Sequence, residues 1–150
     1  MPICSPAFLK KAGGLARPLD LKKAPLIHDD SLAGREETAS WADWLALAGV
    51  QGIDISRGLR FNIADHAIQA AIEGAGILLA QGLLAHDDLR NGRLVAPFDL
   101  TLPSRRAVYF VCPKGRERRP NVKAFREWVK QEMTCHDFGK LGKGKPIKPR

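Results

Sequence analysis

Three kinds of chemistry are conceivable from residue types and spacing. The first is a phosphate cradle at Gly74-Ala75-Gly76. Closely spaced glycines let backbone N–H groups approach an anion, but in a dinucleotide fingerprint they follow a strand and open a helix. Here the order is reversed. Ala67, Ile68, Ala71 and Ile72 mark an apolar helical stripe that runs to about Glu73, and "ILLA" after the glycines reads as a strand. The pair is therefore expected to end a helix and admit a close helix–strand approach. The second chemistry is a metal or thiolate centre built from His28, His66, His86, His136, Cys4, Cys112 and Cys135. Structural zinc sites use a close cysteine pair, which the sequence lacks, and a cysteine inside the apolar run around Cys112 has no base to activate it. The third is acid–base work by His28-Asp29 or His86-Asp87-Asp88, which solvated loop charge explains equally well. No catalytic residue, metal or cofactor is expected.

The elements that would position these residues alternate between strand and helix. Pro25 to Asp29 reads as a strand, followed by a polar loop from Asp30 to Thr38. Ser40 with Asp43 three residues on forms a capping-box signature, and Gly49 stops the helix that follows. Trp41, Trp44, Leu45 and Ala48 share one face of that helix, so the tryptophans are core residues. Leu59 to Phe61 reads as a strand, and Asp65 is expected to cap the helix that leads to the glycine pair. "LLAHDDLR" is helical in pattern, Asn91-Gly92 turns the chain, and "RLVAPF" returns as a strand. "AVYFVCP" is the most strand-like run, and a last helix begins at Pro120 or Asn121. This rhythm predicts an α/β fold with a largely parallel sheet.

Bulk properties narrow the function classes. A chain of 150 residues with 45% hydrophobic content suits one core. The apolar runs fall far short of the roughly 18 residues of a membrane span, and the first residues lack a charged leader with an apolar stretch, so a cytoplasmic setting is expected. Three widely spaced cysteines fit reduced thiols. The net charge of +8 comes from the two ends, while residues 25–133 carry 14 basic and 14 acidic side chains. A nucleic-acid groove needs a basic stripe on the ordered body, preferably with aromatic platforms, and the neutral middle does not announce one. Residues 134–150 read as a basic disordered tail.

The ordered phrases "MPICSPAFL", "PLIHDD", "WADWLALAGV", "RGLRFN", "AIQAAIEGAGILL", "LRNGRLVAPFDLTLP", "YFVCP" and "AFREWVKQEM" resemble the effector-sensing region of LysR-type transcriptional regulators, in the branch of glycine-cleavage and β-lactamase regulators. The resemblance covers about Pro2 to Met133. It implies a periplasmic-binding-protein-like (type II) α/β domain whose two lobes hold a small effector such as an amino acid or carboxylate. By this likeness, residues 1–24 are hinge and linker from the first lobe and residues 25–106 are the second lobe. Residues 107–133 are then the closing strand and helix. The helix-turn-helix that reads DNA and most of the first lobe lie outside this chain, and DNA recognition is expected to be absent from it.

The same resemblance places the effector at Cys4 and Ser5, His28 and Asp29, Asn62, Ala64 and Asp65, and Val108 and Tyr109. The face formed by Val122, Phe125, Trp128 and Val129 would need cover, since burying a large side chain contributes about 1.5–3 kcal/mol. Folding back on the second lobe or packing against another copy in a homodimer would supply it. A stand-alone ligand-binding or dimerisation module of the same fold is the alternative reading.

Overall fold

The computed structural model describes residues 1–35, 38–103 and 108–135. Four short strands form one sheet: β1 (Pro2–Ile3), β2 (Leu26–Asp29), β3 (Leu59–Phe61) and β4 (Ile77–Leu79), in the order β1-β4-β2-β3. Strands β2, β3 and β4 are parallel, and β1 runs antiparallel on the edge beside β4. Helices α1 (Pro6–Lys11), α2 (Trp41–Leu47), α3 (Ala64–Ile72), α4 (His86–Arg90) and α5 (Pro120–Cys135) complete the described elements, with a 3-10 turn at Pro18–Lys23.

Strand alternation sorts the core into two layers. Ile3, Ile27 and Leu78 point to one face, where Ala67, Ile68 and Ala71 of α3 cover them. Their neighbours Cys4, Leu26 and Ile77 point to the other, under Phe8, Leu21, Trp41, Trp44 and Leu45. Alanines at 67 and 71, both fully buried, let α3 lie close on the sheet. On the opposite face Trp44 is also fully buried, its ring 5.3 Å from that of Phe98 and 6.1 Å from that of Trp41. Its indole N–H donates to the Leu100 carbonyl at 3.1 Å, so the ring's one polar atom is satisfied. Helix α2 starts as the sequence predicts, with Ser40 and Asp43 bonding reciprocally.

The glycine pair shapes backbone. Gly74 has φ +79°, and the N–H groups of Gly74 and Ala75 donate to Ala71 and Ala70, which closes α3 in a left-handed cap. A Cβ on Gly76 would stand 2.4 Å from the Pro25 carbonyl oxygen, so β4 can pass that point of the chain only as glycine.

Several expectations need correction. "AVYFVCP" forms no strand among its described residues 108–113, while Ala107 lies outside them. A β-prone composition fits a pleated, half-buried surface, and among the described residues this run has no neighbouring strand to pair with. Val108, Tyr109 and Val111 stand 74%, 79% and 83% exposed. "RLVAPF" contributes only one bridge, Val95 to Cys4, before Pro97 removes a donor. Asp65 does not cap α3: Ile63 is the capping residue, and Asp65 sits inside the first turn, where a carboxylate still favours the helix dipole. The chain turns helical two residues earlier than an Asp65 cap requires.

Residues 1–24, read as hinge and linker, supply β1, α1 and the 3-10 turn and place Met1, Ile3, Cys4, Phe8, Leu15 and Leu21 in the core. Helix α5 forms over the predicted residues but does not fold back onto the sheet, and Phe125 and Trp128 are each 53% exposed. Val122 and Val129 are half-buried beside them. The predicted tail lies outside the described residues from 136 onward.

Candidate effector cleft

A cleft of about 420 Å³ opens at the carboxyl edge of β2, the edge where ligands bind in open α/β sheets. Its position follows from the crossovers. The β2–α2 connection leaves over one face of the sheet and β3–α3 over the other, so the chain ends after β2 and β3 diverge and leave a crevice. Ile27, Trp41, Ile55 and Leu79 give it apolar surface, and His28, Asp29, Asp30, Arg35, Thr38, Ser40 and Arg60 give it polar groups of both signs.

Local hydrogen bonds fix most of these polar groups. One His28 ring nitrogen lies 3.1 Å from the Arg57 carbonyl, and Asp29 accepts from the Ser31 N–H at 2.9 Å in an Asx turn. Thr38 donates its hydroxyl to the loop carbonyls of Leu32 and Arg35, and the Trp41 indole donates to the Ile27 carbonyl at 3.0 Å. Arg60 pairs with both carboxylate oxygens of Asp30, through Nε at 2.8 Å and Nη2 at 2.9 Å. The register explains that reach, because His28 pairs with Arg60 and Asp29 with Phe61 across β2 and β3. Gly58 lets β3 come this close: a Cβ there would stand 2.1 Å from the Leu26 carbonyl oxygen.

Of the residues expected at the effector, His28 and Asp29 line this cleft. Asn62, Ala64 and Asp65 follow β3 at the same sheet edge but do not line it, and Asn62 and Asp65 face solvent. Ser5 is on the other edge. Because β1 is antiparallel, the residues after Ile3 run toward the amino end of β4, where Ser5 is buried and accepts from the Phe8 N–H at 3.3 Å as the cap of α1. Cys4 is buried in the sheet layer, and burial pushes its thiol up to about 12. Val108 and Tyr109 stand exposed and do not reach the cleft.

Asp30, Arg35, Thr38, Ser40 and Arg60 were not anticipated. For Arg60 a signal existed: a cation between Leu59 and Phe61 in a strand faces the side opposite to both, so pairing beside His28-Asp29-Asp30 was readable once β2 and β3 were taken as neighbours. Among the described residues, no cluster of three or more His, Cys, Asp or Glu side chains could hold a metal ion, and no helix is long and apolar enough to cross a membrane.

Known proteins of similar sequence and shape share this architecture. Residues 1–134 match the LysR substrate binding domain family. The glycine cleavage system transcriptional activator of Escherichia coli K12 is 35% identical over 129 residues, which are 86% of this chain and 40% of that protein. Its Haemophilus influenzae homolog is 33% identical over 130 residues, 85% of this chain and 40% of that protein. The chain thus spans about two fifths of the length of these curated relatives. In shape it is similar to the effector domain of AmpR from Pseudomonas aeruginosa, with a TM-score of 0.66 at 23% identity over 94% of this chain and 64% of that one. The AmpR effector binding domain from Citrobacter freundii gives a TM-score of 0.63 at 25% identity, over 95% and 63% of the two chains. With the family matched over nearly its whole length and the same fold in solved effector domains, this chain belongs to the LysR substrate-binding domain family.

Proposed function

We propose that this chain is the effector-sensing part of a LysR-type transcriptional regulator working in the cytoplasm, and that it binds a small amino acid or carboxylate at the carboxyl edge of β2. The observation that carries the reading is the cleft itself, in which Arg35 and Arg60 stand with Asp29, Asp30 and His28 around an apolar floor. A mixed-sign, part-apolar site suits a zwitterion or a carboxylate, the cations meeting the carboxylate and the acids an ammonium group. The reading assigns no catalytic step. Control of transcription, the reading of duplex DNA and self-association belong to the whole regulator, of which the curated relatives are more than twice this length.

A thermal-shift screen with amino acids and small carboxylates tests the site. A true ligand at 100 times its Kd stabilises by about 2.7 kcal/mol, and His28→Ala and Arg60→Ala should each abolish that shift. A ligand whose shift survives both substitutions would move the effector site away from this cleft.

A further inference from the structure

The polar groups of the cleft differ in what they have left to offer a ligand. The His28 ring faces the Arg57 carbonyl, the Thr38 hydroxyl donates to two loop carbonyls, and the Trp41 indole donates to Ile27. Asp30 and Arg60 differ in kind. Among the described residues they are the one ion pair of the cleft. Arg60 spends only part of its fork of N–H donors on Asp30, and the carboxylate keeps lone pairs beyond the two bonds it accepts. Backbone bonds fix the acid: the Asp30 N–H donates to the Phe61 carbonyl at 2.7 Å, and the Asp30 carbonyl accepts from the Ala33 N–H at 2.9 Å. The pairing of His28 with Arg60 across β2 and β3 fixes the cation. Both charges are therefore pre-set side by side, and the pair is complete within this sheet.

We infer that Asp30 and Arg60 act as one recognition unit that selects an α-amino acid zwitterion over a simple carboxylate, with Asp30 the residue that sets the preference. The inference rests on the effector reading of the cleft. A ligand carboxylate takes the donors that Arg60 keeps, and an ammonium group on the adjoining carbon takes the lone pairs that Asp30 keeps. Opposite charges then alternate around the contact. A carboxylate without an amine meets the same guanidinium but also the negative charge of Asp30 beside it, and like charges that close repel. Asp30 thus works in both directions, attracting the right ligand and penalising the wrong one. The floor of Ile27, Trp41, Ile55 and Leu79 suits an aliphatic side chain, and a cleft of about 420 Å³ has room for it.

The test uses the full chain and two probes with the same aliphatic body, L-leucine and isocaproate, which differ in the ammonium group. Isothermal titration at neutral pH should give L-leucine the lower Kd by about ten-fold or more, the weight of one charge-assisted hydrogen bond. Asp30→Asn keeps the size and an acceptor toward Arg60 but removes the charge. It should weaken L-leucine about ten-fold, leave isocaproate as tight or tighter, and so bring the two Kd values together. A purely structural role for Asp30 would lower both affinities alike. Asp30→Glu, which returns the charge, should restore part of the preference. A water-exposed pair contributes little to folding, and unchanged circular dichroism checks that each variant folds. A preference for L-leucine that survives Asp30→Asn, equal affinity of the wild-type protein for both probes, or binding of neither would overturn the inference. Either of the first two results with both probes lost in Arg60→Ala would leave the effector reading of the cleft standing. Probes that bind Arg60→Ala unchanged would sink that reading as well.

Discussion

Arg60 grips Asp30 with two hydrogen bonds, Nε to Oδ2 at 2.8 Å and Nη2 to Oδ1 at 2.9 Å, across the end of β2 and β3. The pair is open to water, with the two side chains 54% and 31% exposed, so it contributes little to folding. Arg60→Ala should cost less than about 1 kcal/mol in urea unfolding while removing the ligand-induced thermal shift. A much larger loss of stability would mean that the pair holds the sheet edge together and does not chiefly shape the cleft.

The two glycines that follow α3 should respond differently to the same substitution. Gly74→Ala forces a side chain into a left-handed backbone conformation and meets only ordinary contacts, so its cost is about 1–2 kcal/mol. Gly76→Ala drives a Cβ against the Pro25 carbonyl, and relieving that overlap must move β4 or the start of β2, at about 3 kcal/mol or more. Denaturant unfolding of both variants should rank them in that order. Equal costs would contradict the close approach at Gly76.

Tryptophans of the same type occupy opposite environments. Trp44→Ala leaves a cavity between α2 and Phe98 and strips the Leu100 carbonyl of its donor, at about 3–5 kcal/mol. Trp128→Ala removes an exposed ring and should leave stability within about 0.5 kcal/mol. Thermal melts of the two variants read the difference directly, and a matching loss in Trp128→Ala would show that α5 is covered in solution.

Burial raises the Cys4 thiol from about 9 to about 12, because the charged thiolate is desolvated in the sheet layer. An acid raised on folding favours its protonated form in the native state. Its stabilising contribution is therefore complete below pH 9 and is lost as pH climbs from 9 toward 12. In a C112S/C135S variant, Cys4 should be inert to a thiol reagent at pH 8 in the native protein and react at once in denaturant. Rapid native labelling would refute its burial.

Local signals in the sequence determined the alternation of elements, the capped start of α2, the buried tryptophan face and the role of Gly74 and Gly76, since caps, glycine conformations and helical periodicity act over a few residues. The family likeness, not a local signal, drew attention to His28 and Asp29, two residues of the cleft wall. Tertiary structure decided what needs a distant partner. Val108 to Val111 have every local preference for a strand and form none, because a strand exists only where a ladder is offered to it. Ser5 and His28 lie on opposite edges of the sheet because β1 runs against β2 and β4, a direction that no run of side chains encodes. Residues as far apart as 28, 38 and 60 meet in one cleft, whereas Val108 and Tyr109 stand outside it. Register and separation in space, set by long-range packing, governed both outcomes.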